Sequence, residues 1–425
     1  MRHLNMTLLL ALSLSTGALS YRGVVTHNSS VKQTRFKKQS DSLNLRLETI
    51  QSSKLWSSNF DDSLDHPSWE PNLNRRNVLS VLGMTMPALS IQPSSAQTQT
   101  QLVADLPMKR LKLPRGALGR DYIVIPLKVN GKGPFEFMVD SGLTTELITP
   151  HLQSILGIKS GRRKVQGIAA GGANLGSLVE LNDASLCCGD FVDQRSEYPL
   201  PKLYAVVTDF PQEHIDPAHD PVEGMLGMEF LELFDVEFDF KNKRLRLWEH
   251  GLADTSGMVA IPAAVLNESG LLGIRVISAN RPLQQPMIGI LDCGASFSSV
   301  NVEGAKLMGV SANPADHLDT PTVTAMGVDG RPIQMVTAKI PLSFVGNVNK
   351  ENRQFEQPPQ GWKPWEPVLM GLGDLSVFSD LLGDERGKPF TGPAALVGLD
   401  VLSQRRFVLG TTGPGRSRTL YVAPS

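Results

Sequence analysis

Two stretches of the chain, FMVDSGLTTELITPHLQSILGI from Phe137 and GILDCGASFSSVNVEGAKLMGV from Gly289, superimpose without a gap from Asp140 and Asp292 through Gly157 and Gly309. In each, an apolar run ends at an acid, a glycine two residues later permits a sharp turn, and a short helical segment stops at a second glycine. An acid ending one apolar strand is ordinarily a turn or helix-capping residue. The same acid in both copies of a repeat points to one structural unit built twice, with the acids in equivalent places.

Further landmarks recur in the same order. Before the first acid, DYIVIPLKVNGKGPFEFMVD alternates around NGKG, a hairpin signal that puts Phe135, Phe137 and Val139 on one face and Glu136 on the wetter one. SGLLGIRVISANRPLQQPMIGILDCG takes its place in the second copy. Pro150 suits the first turn of a helix that closes at Gly157, and EGAKLMG supplies the counterpart. A glycine-bearing hairpin follows each helix: VQGIAAGGANLGSLVEL, with Gly167, Gly171 and Gly172, and VTAMGVDGRPIQMVTAKIPL, with Gly327. The first lacks the Lys-Ser/Thr of a phosphate loop and the spaced glycines of a dinucleotide fingerprint. Finally two apolar residues precede Gly227 and again Gly398, at 87 and 106 residues after their acids. The longer spacing is taken up by NRQFEQPPQGWKPWEP, a surface insertion or long loop.

Composition narrows the function classes. A 425-residue chain with 41% hydrophobic and 20% charged residues can bury large cores, and its net charge of −1 offers nothing to nucleic acid or an anionic membrane. Three cysteines form neither a disulfide framework nor a zinc motif, and adjacent Cys187 and Cys188 read as small apolar residues near a strand end. His214, Asp216, His219 and Asp220 in one loop read as solvated groups, so no metal is expected. Ser298 and Ser299 lack the histidine context of a serine nucleophile.

The first hundred residues read as an address. Residues 1–20 hold a basic start and the run MTLLLALSLSTGALS, too short to span a bilayer but suited to a signal peptide. Residues 21–40 carry five basic residues and no acid, as transit peptides do, and Arg75-Arg76 precede a moderately apolar stretch with a small-residue site near Ala96, as in twin-arginine export. Three signals in series resemble import to the thylakoid lumen of a plastid bounded by extra membranes; the alternative is a secreted protein with a disordered leader.

The paired landmarks resemble the retropepsin-like and pepsin-like aspartic proteases, whose two halves each contribute a hydrophobic-hydrophobic-Asp-Thr/Ser-Gly loop, a flap and a later hydrophobic-hydrophobic-Gly segment. The resemblance covers roughly residues 105–425, and Leu143 and Ala295 lean toward retropepsins. It implies a mainly β, bilobal acid-protease fold of two duplicated β-barrel-like lobes with short helices, at 105–250 and 255–425 behind the 1–100 targeting region. It implies an endopeptidase acting through Asp140 and Asp292 on a water molecule, without cofactor. Ser141, Gly142, Cys293 and Gly294 would support the acid loops, Gly227 and Gly398 would thread behind them, and Gly167, Gly171, Gly172 and Gly327 would lie in the flaps. An extended peptide or protein is the implied substrate, and a monomer with an internal pseudo-twofold, without a stable membrane span, the implied assembly. Cys293 departs from the pattern, because a thiol is larger than a hydroxyl and a weaker donor. The alternative function is a protease-shaped protein that binds extended peptides without cutting them.

Overall fold

The computed structural model describes residues 102–113, 117–159, 164–169, 172–191, 196–210, 212, 219–266, 269–383, 388–412 and 417–425. The targeting region, Gly171, His214 and Asp216 lie outside the described residues. The first acid strand, Lys132–Val139, is the second arm of a hairpin with Tyr122–Val129. Asn130 (φ 51°) and Gly131 (φ 67°) make its turn, the left-handed pair that a tight hairpin needs. The expected alternation of faces holds only at the outer end, where Phe135 and Glu136 are half-buried; Phe137, Met138 and Val139 are all buried. The inner end is covered on both faces because Val222–Leu226 pairs with it in parallel, and parallel strands lie inside.

The duplication is written in the strand pairing. In the first half Val222–Leu226 runs parallel to the acid strand and antiparallel to Glu146–Ile148. In the second, Ala394–Val397 runs parallel to the acid strand Met287–Leu291 and antiparallel to Ser299–Val300. Leu203–Val207 adds in parallel to Glu146–Ile148 and antiparallel to the long hairpin arm Gly172–Leu181. Val368–Leu372 does the same against Ser299–Val300 and Pro332–Ile340. The equivalent helices are Pro150–Leu156, capped by the Thr149 hydroxyl and ended by Gly157 at φ 68°, and Val302–Met308, capped by the Asn301 side chain and ended by Gly309 at φ 75°.

Hydrogen-bonded sheets divide the described residues into a ten-stranded sheet and a fifteen-stranded one. The ten-stranded sheet is built wholly from residues 109–226. The closing hairpin of the first half, Asp235–Asp239 with Arg244–Trp248, instead joins the sheet of the second half through Phe407–Thr412. Phe238 stacks on Phe407 at 4.5 Å between ring centroids, so the junction is apolar and continuous with the core. Leu102–Pro107 lies along Arg244–Trp248, with Ala104 and Leu106 fully buried. The insertion before Val368 is a loop pinned by its tryptophans: Trp362 and Trp365 pack edge-on with Phe344, and Arg405 lies 4.4 Å over the Trp362 ring. Among the described residues no helix is long and apolar enough to cross a membrane.

Candidate active site

Each acid strand ends where its backbone is taken over by the neighbouring parallel strand. The Asp140 amide donates to Leu226 O at 2.9 Å, and the Asp292 amide to Val397 O at 3.0 Å. The chain then turns back, and the residue after each threading glycine fastens the turn: Met228 N donates to Leu143 O (2.7 Å) and Leu399 N to Ala295 O (2.8 Å). A Cβ on Gly227 would lie 2.6 Å from Leu143 O, and one on Gly398 2.7 Å from the Phe297 carbonyl. Only glycine lets these segments run so close behind the acid loops.

The two loops meet. Asp140 and Asp292 are both fully buried, and each carboxylate accepts the amide of its own loop glycine: Gly142 N to Asp140 Oδ1 at 2.8 Å, Gly294 N to Asp292 Oδ1 at 2.9 Å. Each glycine also touches the acid of the other loop. A Cβ on Gly142 would lie 2.5 Å from Asp292 Cγ, and a Cβ on Gly294 2.3 Å from Asp140 Cγ. Gly142 and Gly294 thus each bond the acid of their own loop and lie against the acid of the other.

Ser141 and Cys293 tie one loop to the other by crossed bonds. The Ser141 hydroxyl donates to Leu291 O at 3.0 Å and accepts from Cys293 N at 2.9 Å. In the opposite direction the Cys293 thiol accepts from Ser141 N at 3.2 Å and donates to Val139 O at 3.4 Å. Sulfur therefore occupies the hydroxyl's place in both bonds, with the longer reach of a larger atom. Cys293 is buried, and burial together with the Asp140 charge pushes its pKa far up, so the thiol keeps the proton that it donates.

The candidate flaps lie in the two hairpins expected. Gly167 is buried within Lys164–Ala169, which pairs with Gly172–Leu181; Gly172 opens that second arm. The Lys164–Ala169 strand packs against helix Ser376–Leu381 from the other half of the chain. Gly327 begins the turn joining Val323–Met326 to Pro332–Ile340 and accepts a bond from Gly330 N at 2.9 Å. Of the loop residues His214, Asp216, His219 and Asp220, the described pair His219 and Asp220 is exposed. Cys187 is buried, and burial pushes its thiol up to about 12.

Two polar pairs lie behind the loops; of their four members the sequence names only Ser298, as a residue without the context of a nucleophile. In the second half the Ser298 hydroxyl donates to Asp400 Oδ1 at 2.6 Å and accepts from Gly398 N at 2.9 Å, and burial pushes Asp400 up to about 6. At the matching places of the first half stand Glu146 and Glu229. Glu146 is fully buried and accepts from Phe230 N at 2.8 Å on one oxygen; its other oxygen is buried without a hydrogen-bond partner, and the nearby Glu229 carboxyl helps raise its pKa. The aligned repeats carried the signal, a polar residue six positions after each acid and another two positions after each threading glycine.

With this geometry in view, residues 125–230 match the family model described as aspartyl protease, a span that holds Asp140 and Gly227. Over that span the chain is similar to an aspartyl protease. Among solved structures it is similar to a retropepsin-like aspartic protease from Rickettsia conorii, at 19% identity over 35% of this chain and 92% of that one, with a TM-score of 0.22. It is also similar to basic 7S globulin from soybean, at 9% identity over 76% of this chain and 95% of that one, with a TM-score of 0.38. No protein of curated function matches the chain.

Proposed function

We propose that the chain is an aspartic endopeptidase in which Asp140 and Asp292 share one proton. The observation that carries this reading is the double contact of Gly142 and Gly294, each bonded to one carboxylate and wedged against the other. Two buried carboxyl groups that face each other cannot both ionise at low cost, so one proton stays with the pair. The ionised member accepts a proton from water as the water oxygen attacks the scissile carbonyl carbon. The protonated member gives its proton to the carbonyl oxygen, leaving a neutral tetrahedral diol. When a diol proton returns to the dyad and a dyad proton passes to the amide nitrogen, the C–N bond breaks and acid and amine are released.

The substrate in this reading is an extended peptide held under the two hairpins by strand-like main-chain bonds. The working form is a single chain whose two halves supply one acid each. The leader directs it to the thylakoid lumen, where mild acidity suits a singly protonated dyad; a reporter carrying residues 1–100 that stays in the cytosol would remove that assignment. Full-length protein incubated with an unfolded protein between about pH 4 and pH 7 tests the activity. Cleavage at internal bonds is expected. Peptide binding without cleavage at every pH would make the chain a binding protein of protease shape.

A further inference from the structure

We propose that Glu146 and Glu229 form a second carboxyl pair, structural rather than catalytic, whose single proton fastens the first acid loop and whose loss at higher pH loosens it. A hydrogen bond between two carboxyl groups exists only while one of them is protonated. The pair stands where it can act on the loop. Glu146 is the sixth residue after Asp140, and Glu229 the second after Gly227, at the point where its amide donates to Thr144 O at 3.2 Å. Met228 N, one residue earlier, holds Leu143 O at 2.7 Å. Glu146, whose second oxygen is buried without a hydrogen-bond partner and whose first accepts from Phe230 N, is thus placed to share a proton with Glu229 and to join the strand leaving the acid loop to the segment threaded behind it.

The surroundings offer this pair little to neutralise a second negative charge. From the adjacent strand Leu203–Val207, the Tyr204 amide donates to Glu229 Oε1 at 3.3 Å, while Lys202 is drawn over the Tyr204 ring and to Glu180. From Val222–Leu226, Glu223 is engaged by Thr149 and by His151 Nδ1, the latter at 2.6 Å. Asp140 on the loop itself adds a further acid. Burial is the main cause raising the pKa of both members, and for Glu146 the charge of Glu229 adds to it. For an acid raised on folding, the native state holds the proton more tightly than the unfolded chain. Stability is then full below the ordinary glutamate value of about 4.3 and is lost as pH climbs through the raised one. In the second half Ser298 replaces one carboxyl, so Asp400 titrates there without a carboxyl partner.

Thermal unfolding of the full-length chain between about pH 5 and pH 8 tests the latch, in wild type, Glu146→Gln and Glu229→Gln. A glutamine amide supplies permanently the N–H that the proton supplies in the pair. Wild type is expected to lose about 5 °C more across this range than either variant, the remaining slope belonging to Asp400 and other groups. Equal slopes in all three proteins would overturn the proposal. Because the partly exposed Glu229 tolerates change more readily than the fully buried Glu146, its variant decides the matter if Glu146→Gln does not fold. The stability measurement needs no catalysis, so it stands or falls apart from the proposed protease activity. If cleavage is observed, the link to the loop, which does rest on that activity, predicts that the alkaline limb of kcat moves up by about one pH unit in Glu146→Gln while KM is unchanged. An unmoved limb would overturn the link to the loop.

Discussion

Replacing Gly294 with alanine should disturb the molecule through one neighbour, the carboxyl group of Asp140. The added Cβ would stand 2.3 Å from Asp140 Cγ and 2.4 and 2.6 Å from its oxygens. Carbon atoms pack at roughly 3.5–4.0 Å, so the carboxyl group would have to withdraw by about 1 Å. It has no easy retreat, because Gly142 N holds Oδ1 at 2.8 Å and the side chain is fully buried. Overpacking against a fixed group costs about 3 kcal/mol. Removing the obstacle should restore most of this. In an Asp140→Ala background Gly294→Ala should cost about 1 kcal/mol, leaving a coupling of about 2 kcal/mol between the two positions. Urea unfolding of the four proteins, compared at constant m-value, measures the coupling. Additivity within about 0.5 kcal/mol would mean that the glycine does not lie against the opposite acid, and the facing arrangement of Asp140 and Asp292 would be wrong.

Cys293→Thr should keep or raise both stability and activity, since a hydroxyl is the stronger donor to Val139 O; complete inactivation in a cleavage assay would give the thiol a role that its bonds do not explain. Ser141→Ala removes a buried hydroxyl that makes two cross-loop bonds and orphans the Cys293 amide, so it should cost about 2–4 kcal/mol in urea unfolding, with a cost under about 1 kcal/mol arguing against the crossed bonds. Burial pushes Asp400 up to about 6, above an ordinary aspartate, so wild type should lose about 2–3 kcal/mol as pH rises from roughly 4 to beyond 6. Asp400→Asn keeps the Oδ1 acceptor for Ser298 and Val401 and should flatten that slope whatever it does to stability at low pH; an unchanged slope would mean that Asp400 is not the titrating group.

The parts of the site legible in the sequence are those with a local chemical cause. Asn130-Gly131 marks a turn through its positive φ, Pro150 and Gly157 bracket a helix, and both acids end apolar strands in register with one another. The repeat then carried each local reading from one half to the other. Long-range pairings left no such mark. Nothing near Phe238 announces that it will stack on Phe407, so the closing hairpin of the first half read as part of that half, although its hydrogen bonds join the sheet of the second. Glu146 and Glu229 are 83 residues apart, and only their alignment with Ser298 and Asp400 in the other repeat marks them before the fold buries Glu146 near Glu229. Cys293 was legible as a departure, but its consequence was not. Only the distances show one sulfur making both bonds that a hydroxyl would make.

A shared dyad requires both acids, so the most direct measurement is cleavage of an unfolded protein by full-length wild type, Asp140→Asn and Asp292→Asn, with each variant shown to be folded. Wild type should cut internal peptide bonds, and either single substitution should lower kcat by at least about 1,000-fold, because an amide can neither accept nor donate the shared proton. Cleavage that persists in either variant at the wild-type rate would contradict catalysis by the pair.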